Sequence, residues 1–88
     1  MVNKAIWKFP LDVEEVTTIE VSVDAKVLFV HEQNGTPTLW IEVQPEAVRK
    51  EKRHFEIAGT GWEYSEGRYV GTAVCGQYVW HVLEVKKA

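Results

Sequence analysis

Residues 26–44 have the sequence KVLFVHEQNGTPTLWIEVQ, and this stretch decides the fold. Two runs rich in β-branched and aromatic residues, Lys26 to Glu32 and Pro37 to Gln44, flank the tetrapeptide Gln33-Asn34-Gly35-Thr36. Asn-Gly between two such runs is the strongest short-range signal of a β-hairpin, because both residues tolerate the positive φ angles of a type I′ turn. The sequence therefore predicts an antiparallel hairpin.

Both strands of this hairpin carry apolar side chains on both faces. In the first strand, Val27 and Phe29 alternate with Leu28 and Val30, and the second strand has the same property. One thin sheet cannot cover both of its own faces. We therefore expect a second sheet to cover one face and a subunit interface to cover the other.

Segments in which apolar residues occur at every second position continue outward from the hairpin in both directions. Thr17 to Val23 places Ile19, Val21 and Val23 on one face, which is typical of a half-buried antiparallel strand. Four further strands are predicted at Val2 to Phe9, Arg53 to Gly59, Arg68 to Cys75 and Tyr78 to Lys86, with Gly76-Gln77 as a tight link between the last two.

The segments between these strands are short. Pro10 to Val16 is expected to be a loop, and residues 44–52 have a composition that permits a helix, with a proline near the start. We expect a solvated connection there with one short helical turn near 45–52. The sequence predicts an all-β fold: one domain over residues 1–88 with about seven short strands, forming a small antiparallel β-sandwich or barrel.

Length and cysteine content limit how such a domain is stabilised. A chain of 88 residues buries only roughly two-thirds of its unfolded surface, so a homo-oligomer is expected. Cys75 is the single cysteine, which excludes an internal disulfide, and no Cys/His group has the spacing of a zinc site. We expect no metal, no cofactor and a reducing, cytoplasmic setting. Without a signal-like segment or a long apolar run, neither export nor a membrane helix is expected.

The charge balance bears on possible partners. A net charge of -3 and a pI of about 5.6 argue against a general nucleic-acid binder, which needs a basic surface to neutralise phosphates. Four cationic residues nevertheless fall within 49–53, followed by His54, and a small anion could dock there.

Catalysis has little support in the sequence. A nucleophilic enzyme needs Ser or Cys beside a histidine base that a carboxylate orients. No nucleophile motif surrounds the available residues, and we expect that the protein is not an enzyme. The residues considered are Cys75, Ser22, Ser65, His31, His54 and His81. For His81 in a strand, a hydrogen-bonded structural role is favoured over a ligand role.

The segment Ala58-Gly59-Thr60-Gly61-Trp62 has two interpretations. Two glycines around a hydroxyl residue allow backbone N–H groups to approach phosphate or carboxylate oxygens, but the same pattern also makes a plain turn between strands. Nearby cations and aromatic rings suit a nucleotide, whose phosphates and base they would contact. The candidate ligand-binding residues are Arg53, Gly59, Thr60, Gly61, Trp62, Tyr64 and Arg68.

A resemblance to a known family adds to this interpretation. Asn34-Gly35-x-Pro37-x-Leu39-Trp40, Arg53-x-Phe55-x-Ile57-x-Gly59-Thr60-Gly61, Tyr69-x-Gly71-Thr72 and Trp80-His81-Val82-x-Glu84 resemble a family of small uncharacterised proteins of tailed bacteriophages. The similarity extends over nearly the whole chain. It implies a location in the cytoplasm of an infected bacterial host, and it carries no established enzymatic activity that could be transferred to this chain.

In size and ligand-compatible chemistry the chain is also similar to viral sponge proteins, which sequester the cyclic nucleotide signals of bacterial anti-phage defence. That resemblance implies that Arg53 and Arg68 pair with phosphates, that the Gly-Thr-Gly loop donates to phosphate or ribose oxygens, and that Trp62 or Tyr64 stacks on a base. Two alternatives remain open. One is an inhibitor of a host defence complex, similar in role to anti-CRISPR proteins, whose glutamates imitate phosphates. The other is a structural phage protein.

Overall fold

The computed structural model describes residues 3–86, which form seven β-strands and no helix. All pairings between neighbouring strands are antiparallel, so the predicted all-β class is confirmed. Within these residues nothing forms a helix able to cross a membrane. The strands are β1 (Ala5–Pro10), β2 (Thr17–Ser22), β3 (Lys26–Gln33), β4 (Thr36–Val43), β5 (Lys50–Gly59), β6 (Arg68–Cys75) and β7 (Tyr78–Val85).

The strands form two sheets that pack face to face as a small β-sandwich. Sheet A has the order β1-β4-β3 and sheet B has the order β2-β5-β7-β6. The core lies between them and is built from alternating residues of both sheets, as expected for a sandwich. Leu39 and Ile41 of sheet A and Phe55 and Val82 of sheet B are completely buried in it.

The predicted hairpin is confirmed as the pairing of β3 with β4. Asn34 and Gly35 have φ angles of 54° and 81°, as a type I′ turn requires, and Gln33 pairs with Thr36. The last two strands are likewise joined by the two-residue link Gly76-Gln77. The other strands follow the predicted segments closely, although β1 begins only at Ala5, and Val2 lies outside the described residues.

The helical turn predicted near 45–52 is wrong. Residues 44–47 form a β-turn closed by a hydrogen bond from the Ala47 N–H to the Gln44 carbonyl, and β5 already begins at Lys50. Lys50 and Lys52 pair with Ser22 and Glu20 of β2. Helix-permissive composition is a weak preference, and pairing with a neighbouring strand overrides it here.

A long crossing segment connects β5 to β6. Both strands are antiparallel to β7, which lies between them, so they run parallel and residues 60–67 must return along the sheet. We call residues 60–67 the crossover strap. It lies on the outer face of sheet B, where the Ser65 N–H donates to Glu56 Oε2 at 2.9 Å. Gly67 lies so close to the Glu84 carbonyl oxygen that a Cβ would stand 2.6 Å from it. Glycine therefore allows the strap to lie tightly on β7.

Candidate functional site

The structure divides the seven candidate residues between two separate cavities. Gly59, Thr60, Gly61, Trp62 and Tyr64 line a cavity of about 240 Å³, which we call the aromatic pocket. The two arginines line a larger cavity of about 830 Å³, which we call the charged cleft. A single site that uses all seven residues is therefore not formed within one chain.

The aromatic pocket lies on the outer face of sheet B, between the crossover strap and strands β6 and β7. Ala58, Leu83, Tyr69 and His81 form the part that belongs to the sheet. The rings of Trp62, Tyr64 and Tyr69 surround the cavity and are each more than half exposed. The pocket thus offers aromatic faces that the protein core does not cover.

The Gly-Thr-Gly segment at the pocket forms a tight turn. The Trp62 N–H donates to the Gly59 carbonyl at 3.0 Å, and Gly61 has a φ angle of 90° in the third position, where a type II turn requires glycine. A Cβ on Gly59 would meet the Trp62 ring at 2.9 Å. The segment is therefore a β-turn, and that turn also forms one wall of the pocket.

A cluster of three hydroxyl groups surrounds the imidazole of His81. Thr60 Oγ1 lies 2.7 Å from His81 Nε2, while the Tyr69 hydroxyl and Thr72 Oγ1 each lie 3.2 Å from Nδ1. Tyr69 and Thr72 also hydrogen-bond to each other. Hydrogen bonds to both ring nitrogens therefore hold these hydroxyl groups in place beside the pocket. We call these four residues the hydroxyl–imidazole cluster.

Sequence reasoning did not assign Tyr69, Thr72 or His81 to the site. Simple alternation puts positions 69 and 72 on opposite faces of β6, but a bulge between Tyr69 and Gly71 shifts the register and brings both side chains to His81. The glycine at 71 was the available signal, since glycine inside a strand is typical of a bulge.

Trp62 is held in place by other aromatic residues. Its ring meets the edge of Trp80 at 5.6 Å between centroids, and Trp80 stacks on Tyr78 at 5.4 Å with an interplanar angle of 13°. Edge-to-face and offset-stacked pairs are favourable arrangements. The half-exposed ring of Trp62 is therefore held in a fixed orientation at the pocket.

An ion pair dominates the charged cleft. Arg53 donates from Nε and Nη2 to the two carboxylate oxygens of Glu84, at 2.7 and 2.8 Å, and from Nη1 to the Ala25 carbonyl at 2.6 Å. The side chains of Arg53 and Glu84 are only 12% and 19% exposed. Arg68 donates from Nη2 to Glu84 at 2.9 Å, and its side chain is 71% exposed. All three guanidinium nitrogens of Arg53 therefore make hydrogen bonds within the protein, whereas the Arg68 side chain remains largely exposed to solvent.

Charges in the cleft are balanced rather than basic. The hydrogen bond from Arg53 and the contribution of Arg68 lower the pKa of Glu84, against the opposing effect of burial, and the hydrogen bond to Glu84 raises the pKa of Arg53. The acidic residues of the cleft are Asp24, Glu51, Glu66 and Glu84, and its cationic residues are Lys52, Arg53, Arg68 and Lys86. Because these formal charges balance, the cleft gives a phosphate no net positive field.

The lowered pKa of Glu84 predicts acid sensitivity. A carboxyl group whose pKa is lower in the folded than in the unfolded chain stabilises the fold at pH values above its ordinary pKa of 4.5. This contribution disappears as the pH falls through the pKa of the folded state. We expect the free energy of unfolding to decline below about pH 4.5, as measured by urea denaturation between pH 7 and pH 3. The Glu84→Gln variant should lose less stability over the same interval. An equal decline in both proteins would contradict the prediction.

Other reactive groups of the described chain do not gather at the pocket. Burial and the nearby Glu32 carboxylate raise the pKa of the Cys75 thiol, which disfavours the nucleophilic thiolate. Within residues 3–86, no three His, Cys, Asp or Glu side chains come together to hold a metal ion. What the described residues do bring together is a set of aromatic faces and hydroxyl groups suited to binding.

Comparison with known proteins gives one match. A family model described as a domain of unknown function (DUF7352) matches residues 2–88. Neither the curated proteins nor the solved structures contain a match to the chain. Because the family model covers almost the entire sequence, the chain belongs to the DUF7352 family.

Proposed function

We propose that this protein binds a nucleotide and holds it without converting it, with the base in the aromatic pocket. The observation that carries the proposal is the combination of three half-exposed rings with the hydroxyl–imidazole cluster around one cavity. Base–aromatic stacking contributes about 1–3 kcal/mol per base and suits any base, because every base has a π-face.

The size of the pocket limits which part of a ligand enters it. Its 240 Å³ is just below the range of about 300–1,000 Å³ that holds a drug-sized molecule. One base fits this volume, whereas a complete cyclic dinucleotide does not. The sugar and phosphates then lie at the rim. Arg68 is next to Tyr69 on β6 but pairs with Glu84 in the charged cleft, so neither candidate arginine lines this pocket.

The polar edge of the pocket suits a base as well. The Thr60 and Tyr69 hydroxyls each donate and accept hydrogen bonds, and base edges carry both kinds of group. The hydrogen bonds to His81 hold these hydroxyls in place before a ligand arrives, which reduces the entropy lost on binding.

The proposed biological role rests on the sequence resemblance. The similarity to small phage proteins supports a role in an infected bacterium, where a binding protein without turnover would sequester a cyclic nucleotide signal of the host defence. Such a role needs stoichiometric amounts of protein and a slow release of the intact ligand.

Replacing Thr60 by valine tests the site. This variant keeps the shape of the side chain but removes the hydroxyl group beside His81, and we expect about a tenfold loss of affinity for the bound nucleotide. Isothermal titration calorimetry with mononucleotides and cyclic mono- and dinucleotides measures the affinity, and mass spectrometry checks that the ligand is recovered intact.

The chain offers a matched control for this substitution. Thr18 makes the same kind of hydrogen bond, to His54 Nδ1 at 2.8 Å, but it lies outside the aromatic pocket. Thr18→Val should leave the affinity unchanged. Equal losses in the two variants, the absence of binding by any nucleotide tested, or conversion of the ligand would each overturn the proposal.

A second candidate is an inhibitor that binds a protein of the host defence. The observation in its favour is that the six glutamates expected to imitate nucleic-acid phosphates are all exposed. A protein of this kind should keep its inhibitory activity in the Thr60→Val variant. The six residues are Glu14, Glu15, Glu46, Glu51, Glu63 and Glu66.

A further inference from the structure

We propose that the aromatic pocket selects ligands that carry little phosphate charge. It takes a nucleoside or a cyclic nucleotide, whose phosphate is a diester, in preference to a nucleotide with a terminal phosphate. This selectivity rests on the proposed function and narrows the class of ligand within it. It comes from the distribution of charge, because the cavity itself is almost neutral and carboxylates surround it.

The interior of the aromatic pocket is suited to a base rather than to a phosphate. Phosphate sites ordinarily supply arginine or lysine side chains, or several free backbone N–H groups. Of the residues 3–86 that the structure describes, no arginine or lysine lines this cavity. Both ring nitrogens of His81 are already hydrogen-bonded to hydroxyl groups, and the Trp62 N–H donates to the Gly59 carbonyl within the turn.

The crossover strap brings carboxylates to the rim of the pocket. Glu63 is exposed and separates two strap residues that line the cavity. Glu56 lies under the strap, where it accepts the hydrogen bond from the Ser65 N–H. Its cross-strand partner on β7 is Leu83, which forms part of the pocket. Two carboxylates therefore border the cavity on the side of the strap.

A second cavity adds further negative charge beside Trp62. This cavity, which we call the acidic cleft, has a volume of about 490 Å³ and shares the Trp62 side chain with the aromatic pocket. Its charged lining residues within the described chain are all glutamates, namely Glu14, Glu15 and Glu56. Because Trp62 lines both cavities, the negative charge of the acidic cleft acts on a ligand that stacks on this ring.

The cation nearest to the pocket along the chain does not reverse this field. Arg68 precedes Tyr69 on β6, but its guanidinium donates to Glu84 at 2.9 Å. Glu66 lines the charged cleft together with Arg68, so two carboxylates offset the single positive charge. The rim of the aromatic pocket is therefore negative on balance.

The charge of a ligand then decides how strongly this rim repels it. A terminal phosphate carries a charge of about −1.5 to −2 at pH 7, whereas a phosphodiester carries about −1. Stacking on the rings is the same for every ligand with a given base. Repulsion therefore increases from the nucleoside to the cyclic nucleotide and then to the 5′-monophosphate. Rejection by like charge is an established means of specificity, and here it would keep nucleoside triphosphates with the same bases out of the pocket.

Calorimetric titration tests this selectivity with adenosine, guanosine, their 3′,5′-cyclic monophosphates and their 5′-monophosphates. At about 50 mM NaCl we expect the cyclic nucleotide to bind about fivefold more tightly than the 5′-monophosphate, and the nucleoside at least as tightly as the cyclic nucleotide. At about 500 mM NaCl the fivefold preference should fall below about twofold, because salt screens the repulsion.

A triple variant tests the cause of the selectivity. Glu14→Gln, Glu15→Gln and Glu63→Gln together remove three exposed charges around the pocket, so we expect the affinity for the 5′-monophosphate to rise about threefold. The affinity for the nucleoside should stay unchanged. Circular dichroism verifies that the variant folds, as expected for exposed positions.

The chain offers a matched triple control. Glu20, Glu46 and Glu51 are also exposed, but they lie near the Lys50 end of β5, whereas the pocket lies at the Gly59 end. At about 3.3 Å per residue the two ends are more than about 20 Å apart, which exceeds the Debye length of about 10 Å at 0.1 M salt. Replacing these three glutamates by glutamine should leave all the affinities unchanged.

The outcomes separate this selectivity from the proposed function. A 5′-monophosphate that binds as tightly as the nucleoside, or more tightly, leaves nucleotide binding intact and overturns only the selectivity. Equal effects of the two triple variants on the 5′-monophosphate also overturn it. If neither nucleosides nor nucleotides bind, the proposed function and the selectivity are both overturned.

Discussion

The Glu84→Gln variant is expected to lose about 3 kcal/mol of its free energy of unfolding, because removing one partner of a buried ion pair leaves the other charge without compensation. Glu84 accepts two hydrogen bonds from Arg53 and one from Arg68. Glutamine has no charge and only one acceptor oxygen, so it cannot replace the paired arrangement. The expected loss is at the lower end of the range for buried ion pairs, because both side chains keep some contact with water.

Thermal and urea denaturation measure this loss. In a domain of this size, about 3 kcal/mol corresponds to a fall of roughly 15 °C in the melting temperature. Glu63→Gln is the control, because Glu63 is an exposed glutamate in the crossover strap, and it should change stability by less than about 0.5 kcal/mol. If both variants melt within a few degrees of the wild type, the ion pair does not support the fold.

Replacing Trp62 by alanine is expected to weaken nucleotide binding about a hundredfold. The change removes the stacking face, for which about 1–3 kcal/mol per base is typical, and it opens one wall of the pocket. Stability should fall far less than binding, because more than half of the Trp62 side chain is exposed. Calorimetric titration together with a denaturation curve of the same sample separates the two effects.

Two further substitutions make the Trp62 experiment specific. Trp62→Phe keeps an aromatic face and should retain most of the affinity. Trp7→Ala removes a tryptophan of similar exposure from β1, in the other sheet, and should leave binding unchanged. A Trp62→Ala protein that binds as well as the wild type would remove the pocket from consideration as the nucleotide site.

The sequence was sufficient to predict most of the fold because the decisive signals are local. Asn34-Gly35 determines its own turn, and period-two alternation identifies strands without knowledge of their partners. The prediction of a helical turn near 45–52 failed for the opposite reason. Whether Lys50 to Lys52 extend depends on β2, which is distant in the sequence, and the local composition contains no information about that pairing.

The candidate site could be predicted only in part. The consecutive residues from Gly59 to Trp62 lie together because a single turn contains them. Whether Arg53 joins them depends on its partners, and Glu84, 31 positions away, directs it into a different cavity. His81 meets Thr60 because β5 pairs with β7, which places Ala58 opposite His81 and Thr60 just beyond it, and that pairing is a property of strand order rather than of any motif.

The order of the strands also affects how the protein is made. Sheet A consists of β1, β3 and β4 and is complete once Val43 has been synthesised, whereas sheet B needs every strand from Lys50 onward in addition to β2. A chain emerging from the ribosome therefore exposes Leu39, Ile41 and Val43 before their covering layer exists. The pocket itself is built only from residues that are synthesised after sheet A is complete.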